Sequence, residues 1–251
     1  MENGQNHALI LPQAFLLWHD GDRSRNMELM LDTANLKDIA KGITTYPISG
    51  VTTNPSIIKA EGNVDFFEHM KKIRGIIGRD RSLHVQVIAQ DASHIVQEAE
   101  KILSILGEET FIKIPVTEEG LKAIKTLSSR GVNVTATAVY TTIQGILAML
   151  SGARYLAVYY NRMLNIDIDA AKVIKELSGL LWANAGNCQV LAASFKNISE
   201  ITTAYANGAS CCTVPLDLLT TGLRMPSISK AVEDFHSNWA QVYGDKTILD
   251  L

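Results

Sequence analysis

Residues 111–125 read FIKIPVTEEGLKAIK. The opening FIKIP is β-branched and aromatic around a single lysine, the composition of a short buried strand. At Thr117 the pattern changes to TEEG followed by alternating charge and apolar residues. Thr117 suits a helix N-cap, and the two acids suit the positive end of a helix over 118–130 that Gly131 ends. A strand followed by a helix of that length pairs in parallel with the next strand, because the crossover consumes a dozen residues or more.

The same alternation runs outward in both directions. Candidate strands lie at 28–32, 49–53, 84–89, 111–115, 133–139, 155–160, 189–194 and 211–215. Between them lie helical stretches such as 93–106, where Ile95, Ala99, Ile102 and Leu106 recur at helical spacing, 168–182, and a tail at 227–243. Eight strand–helix units over 27–251 give about 28 residues each, the size of a compact (β/α)8 TIM barrel. The competing open doubly wound sheet should carry a Gly-rich turn after its first strand, and here that turn is DTANLKD. The predicted class is therefore α/β, a (β/α)8 barrel with an extra C-terminal helix.

Residues 1–26 stand apart from this rhythm. ALILPQAFLLW at 8–18 is apolar but interrupted by Pro12 and Gln13, with no basic residues before it as a secretory signal requires. The polar GDRSRN at 21–26 separates it from the first strand. We read 1–26 as an appendage, or an upstream start ahead of MELMLDT, and 27–251 as the barrel domain.

Composition excludes several function classes. The chain has 251 residues, 47% hydrophobic and 20% charged, with 23 basic and 26 acidic residues. No basic patch or stripe marks a nucleic-acid surface. No apolar run of about 18 residues spans a bilayer. Three cysteines (Cys188, Cys211 and Cys212) form no CxxC and no paired framework, which fits reduced thiols in the cytoplasm. The six histidines are scattered without HExxH, so no metal site is predicted. Small-molecule chemistry remains.

In a barrel the reacting groups sit at the C-terminal strand ends, so polar residues interrupting or closing buried strands are the candidates. These are Asp32, Thr52 and Asn54, Gln86, Lys113, Thr135 and Thr137, Tyr159 and Arg162, Ser194 and Lys196, and Asp217 for the eighth strand. Lys113 is the sharpest. A lysine between two isoleucines either snorkels to solvent from an edge strand or occupies a polar lumen, and a closed barrel has no edge. Burial lowers a lysine pKa and leaves a free amine that attacks carbonyls, which points to a Schiff base acting as an electron sink for carbon–carbon cleavage. Tyr159 with Gln86 and Thr137 forms a candidate phenol–amide–hydroxyl set for proton transfer, or Tyr159 is core packing. Asp32 orients or deprotonates a hydroxyl beside the breaking bond, or caps the helix over 35–42. Asn54 holds donor hydroxyls or forms an ordinary Asn-Pro turn. Arg162, Ser194 and Lys196 are candidates for a phosphate site on the late strands.

Six stretches stand in one order along the chain: LDTAN at 31–35, GVTTNPSII at 50–58, KIPVTEEGLKAIK at 113–125, TAVYTTIQG at 137–145, NR at 161–162 and LAASFK at 191–196. Together they resemble the short transaldolase family, and within it the fructose-6-phosphate aldolase branch. The likeness spans 27 to about 244, with Phe235, Trp239 and Gly244 resembling the family's terminal helix. It implies a (β/α)8 barrel without cofactor, with Lys113 as the Schiff-base lysine and Gln86 and Tyr159 in the catalytic set. It further implies Asp32, Asn54, Thr137, Arg162 and Ser194 as site residues, and Thr52, at the end of the second strand, joins them as a candidate for substrate binding. Transaldolases proper carry Glu and Phe at the positions matching Gln86 and Tyr159, so the resemblance implies an aldolase, with transaldolase as the alternative. The substrate it implies is a sugar phosphate, and the assembly a pentamer-based, decameric homo-oligomer. Departures are Ala157-Val158-Tyr159 for Ala-Pro-Tyr, Ala136-Thr137 for Gly-Thr, and 163–167 for a Gly-rich loop. A barrel that only binds phosphosugars is the alternative from another class, and Lys113 argues against it.

Overall fold

The computed structural model describes residues 27–184 and 187–251, so the expected appendage lies outside the described residues. The chain runs β1 (Glu28–Asp32), α1 (Leu36–Thr45), β2 (Ile48–Thr52), α2 (Pro55–Ala60), α3 (Phe66–Ile77) and β3 (Ser82–Gln86). It continues through α4 (Ala92–Leu106), β4 (Phe111–Pro115), α5 (Glu118–Ser129), β5 (Val134–Val139), α6 (Thr142–Leu150) and β6 (Tyr155–Tyr159). Next come α7 (Tyr160–Leu164), α8 (Ala170–Ala183), β7 (Gln189–Ala193), α9 (Ile198–Ala206), β8 (Cys211–Val214), α10 (Leu216–Leu223) and α11 (Pro226–Tyr243). The strands close into one barrel in chain order, and β1 pairs in parallel with both β2 and β8. The expected (β/α)8 architecture with a C-terminal helix is present.

Strand alternation sorts the side chains into two cores. Outward residues such as Val51, Val85, Ile112, Ile114, Ala136, Val158 and Val190 pack under the helix ring in one large cluster. Each fully buried Ile or Leu there contributes about 1.5–3 kcal/mol of transfer free energy. Inward residues Met30, Tyr155, Ala157, Leu191 and Cys211, with Phe111, form a separate lumen plug. His84 stacks on Phe111 with ring centroids 4.5 Å apart, and Tyr155 meets both edge-on. The floor of the lumen is thus largely aromatic, with the His84 ring held there 2.8 Å from Thr135 Oγ1. Asp32, Lys113 and Tyr159 lie towards the C-terminal strand ends.

Most helix starts follow from local chemistry. Thr117 caps α5 through the Gly120 N–H, as its sequence predicts. Asn35, rather than Asp32, caps α1, accepting from the Lys37 and Asp38 N–H groups. That leaves Asp32 available to the lumen. The third strand, expected at 84–89, ends at Gln86. The Ile88 and Ala89 N–H groups donate to the Glu98 carboxylate at 2.7 and 3.0 Å rather than to a neighbouring strand.

One strand pair departs from regular register. Thr135 faces Tyr155 and Ala136 faces Leu156, yet Val139 faces Val158, so β5 carries one extra residue. The bulge falls at Thr137-Ala138, and Ala138 adopts a left-handed φ of 58°. Among the described residues no helix is long and apolar enough to cross a membrane. The last helix, α11, has no buried residue.

Candidate active site

Strand β4 delivers Lys113 into the lumen, where it is 3% exposed. Its Nζ donates to the Thr53 carbonyl at 2.9 Å. The Thr53 N–H and Oγ1 both donate to the His84 carbonyl at 3.0 Å, which fixes that peptide. Burial holds the Lys113 amine below the ordinary lysine pKa, and the Asp32 carboxylate opposes the shift. A lysine in this setting yields its free amine more readily than one in water.

Asp32 closes β1 at the same level. Burial raises its carboxyl above the usual carboxylate range, while Lys113, the Thr52 hydroxyl and Arg162 pull it back. Thr52 Oγ1 donates to Asp32 Oδ1 at 2.7 Å and also lies 2.7 Å from Thr213 Oγ1. A hydroxyl has one proton, so with Thr52 committed to Asp32 the donor in the second bond is Thr213. The chain Thr213–Thr52–Asp32 orients the carboxylate from beneath.

Tyr159 ends β6 with its hydroxyl 2.9 Å from Thr137 Oγ1. The bulge in β5 puts Thr137 at that position. Burial raises the Tyr159 phenol above its ordinary value, with the Thr137 bond and Arg162 opposing. The phenol therefore keeps its proton at neutral pH. Tyr140 meets the Tyr159 ring edge-on, and the Arg162 guanidinium lies over its face, 4.8 Å from the centroid. Arg162 stands on the short helix α7, which occupies part of the stretch read as loop.

Gln86 ends β3 opposite Lys113 in register. Its Oε1 is buried without a hydrogen-bond partner among the described residues. Of the expected phenol–amide–hydroxyl set, the phenol and the hydroxyl bond directly, and the Gln86 oxygen meets no donor among the described residues. Two clefts, of about 650 and 710 Å³, both include Gln86, Pro55, Val87 and Ile88 in their walls. Asn54 borders the larger one. Its Oδ1 caps α2 by accepting from the Ile57 N–H at 3.0 Å, while its NH2 can still donate to a ligand hydroxyl. The turn and binding readings of Asn54 are therefore compatible.

Ser194 follows β7 in the left-handed region, φ 66°, which is strained for a residue with a Cβ. It lies three residues before Asn197, the N-cap of α9, with Phe195 buried between them. Lys196 is exposed. Where the sequence departs from a Gly-rich loop, Asp167 adopts φ 61°, a conformation in which Asp is better tolerated than most side chains.

Asp217 falls outside the lumen. It lies exposed in the first turn of α10, and its Oδ1 accepts from the Leu218 N–H. The inward polar residue of β8 is Thr213, inside an apolar run, two positions before Pro215. Thr213 and the Thr53 carbonyl were not predicted from sequence. Strand alternation alone pointed to the first, and no side-chain signal marks the second. Among the described residues no group of three or more His, Cys, Asp or Glu is arranged to hold a metal ion.

A family model described as transaldolase/fructose-6-phosphate aldolase matches residues 29–247. The chain belongs to that family. A relative named "Probable fructose-6-phosphate aldolase" from Streptococcus pneumoniae (strain ATCC 700669 / Spain 23F-1) is 47% identical over 222 residues. Those residues cover 88% of this chain and 100% of the relative. The match to the transaldolase/fructose-6-phosphate aldolase family spans β2 to β8 and α11 in full, and β1 from its second residue.

Proposed function

We propose that this chain is a class I aldolase that cleaves and forms fructose 6-phosphate, or a closely related ketose phosphate, through a Schiff base on Lys113. The observation that carries the proposal is the buried Lys113 amine, depressed in pKa and facing the Asp32 carboxylate in a barrel lumen. The name of the pneumococcal relative and the family match support the substrate class.

The chemistry follows from these groups. The Lys113 amine attacks the ketose C2 carbonyl, and the carbinolamine loses its hydroxyl as water after protonation, leaving an iminium. Asp32 takes the proton of the C4 hydroxyl. The C3–C4 bond breaks, its electrons pass into the iminium, and glyceraldehyde 3-phosphate leaves. The enamine is then protonated at C3, and water hydrolyses the iminium to dihydroxyacetone and free Lys113. The Tyr159 phenol, paired with Thr137, supplies and recovers protons through a water in the dehydration, protonation and hydrolysis steps. The Gln86 oxygen holds that water or a donor hydroxyl, the Asn54 NH2 binds another donor hydroxyl, and Arg162 with Ser194 takes the phosphate.

Transaldolase activity shares every step up to the enamine. Tyr159 and Gln86, in place of the Phe and Glu of transaldolases, favour hydrolytic release, because a protonated phenol and a neutral amide serve enamine protonation. Fructose 6-phosphate supplied alone should yield free glyceraldehyde 3-phosphate in a coupled assay. Turnover only with erythrose 4-phosphate present would make the enzyme a transaldolase.

We propose also that the enzyme is a cytoplasmic homo-oligomer built from pentamers. The family resemblance implies the pentamer-based assembly, and exposed apolar residues of α11 such as Val232 and Phe235 leave a face for association.

A further inference from the structure

Glu200 lies in the first turn of α9, away from the lumen chemistry, and is only 6% exposed. A buried carboxylate is costly unless its oxygens are hydrogen-bonded. Both are. The Asn161 Nδ2 donates to Oε1 at 2.8 Å, and the Lys196 backbone N–H donates to Oε2 at 2.8 Å. Its own N–H donates to the Asn197 cap at 3.0 Å. One carboxylate thereby ties two separate segments together, the start of α7 next to Arg162 and the loop following Ser194.

The same two segments touch at two further points. The Asn161 N–H donates to the Ser194 carbonyl at 3.1 Å, and the rings of Tyr160 and Phe195 lie 5.7 Å apart. Ser194 is held in a left-handed conformation that relaxes once its surroundings loosen. Arg162 is a long, exposed side chain whose aim depends on where its backbone is fixed. From this arrangement we infer that Glu200 is a positioning residue for phosphate recognition, setting the separation of Arg162 and Ser194 through Asn161 and the Lys196 peptide. The inference rests on the proposed assignment of Arg162 and Ser194 to the substrate phosphate.

Glu200 has no bond to Lys113, Asp32, Thr137 or Tyr159, so the bond-breaking steps are separable from its role. The test compares two acceptors condensed with dihydroxyacetone, glyceraldehyde 3-phosphate and unphosphorylated D-glyceraldehyde. In Glu200→Ala, KM for glyceraldehyde 3-phosphate should rise about tenfold or more, as small misplacements of binding groups are costly. Its kcat, and kcat/KM for D-glyceraldehyde, should stay within about twofold. Glu200→Gln should recover much of the loss, because its oxygen still accepts the Lys196 N–H and its NH2 meets the Asn161 side-chain oxygen after an amide turn. Asn161→Ala cuts the same tie from the α7 side and should give the same split, which decides the matter if Glu200→Ala does not fold. Equal losses with both acceptors, or none with either, would overturn the inference. Arg162→Ala is the separate check on its foundation and should abolish the wild-type preference for the phosphorylated acceptor. If that preference survives Arg162→Ala, the phosphate assignment fails and the inference with it. Wild-type enzyme that condenses neither acceptor would bring down the aldolase reading itself.

Discussion

The hydroxyl of Tyr159 lies 2.9 Å from that of Thr137, and the two meet because β5 carries one residue more than β6 requires. The pair sits in the lumen with Lys113 and above the aromatic floor. Its part in release, rather than in bond cleavage, can be tested by comparing two reactions of one enzyme. Tyr159→Phe should lower free dihydroxyacetone release from fructose 6-phosphate by about 10²-fold, the lower range for loss of a general acid–base group. Exchange of the donor unit into added erythrose 4-phosphate should fall less. Equal depression of both rates would remove Tyr159 from the release steps.

The ionisation of Lys113 gives a pH signature with a definite sign. Burial lowers its pKa from 10.5, so the reactive amine becomes available at lower pH than on an exposed lysine. The rate of borohydride trapping with dihydroxyacetone should therefore rise with pH and level off below the ordinary lysine range. The Asp32 carboxylate raises the Lys113 pKa, so Asp32→Asn should move that rising limb to still lower pH. A limb at the ordinary lysine value, or one that moves up in Asp32→Asn, contradicts the coupling.

Much of this was readable from the sequence because buried parallel strands tolerate few polar residues. Lys113 in FIKIP, Asp32 ending LMLD and Tyr159 ending YLAVY stand out against their apolar neighbours, and all three converge. Thr213 did not stand out, because threonine is an ordinary strand residue and CCTVP reads as apolar filling. Asp217 drew the assignment instead, one charge beyond a proline that had already ended the strand. The left-handed positions at Ala138 and Ser194 carry no glycine to announce them, since tertiary packing holds them there. Main-chain roles, such as the Thr53 carbonyl on Lys113, leave no trace in residue type.

The terminal helix predicts association. Ile228, Val232, Phe235, Trp239 and Val242 fall on one face of α11, and Phe235 is 70% exposed. Trp239 lies tilted against Tyr243, ring centroids 4.6 Å apart, and donates to the Lys246 carbonyl, so it braces the tail end of that face. Light scattering at micromolar concentration should give an oligomer, and Phe235→Glu should shift it towards smaller species. A monomeric wild type would refute the proposed assembly.

All eight strands of the barrel lie among the described residues. The Glu28 N–H donates to the Ser210 carbonyl at 2.9 Å, and β1 is paired on both sides. A chain starting at Met27 should therefore stay folded, with a melting temperature within a few degrees of the full chain and unchanged turnover. Insoluble or inactive protein would place the N-terminal segment within the functional unit.

The central claim is the covalent bond between Lys113 and the donor carbonyl. Borohydride added with dihydroxyacetone, followed by peptide mass spectrometry, tests it most directly. The account predicts one reduced dihydroxyacetone unit per chain, confined to the peptide carrying Lys113, with EDTA having no effect and turnover lost in step. Lys113→Met should show neither the adduct nor measurable turnover. An adduct on another lysine, or turnover retained in Lys113→Met, would contradict it.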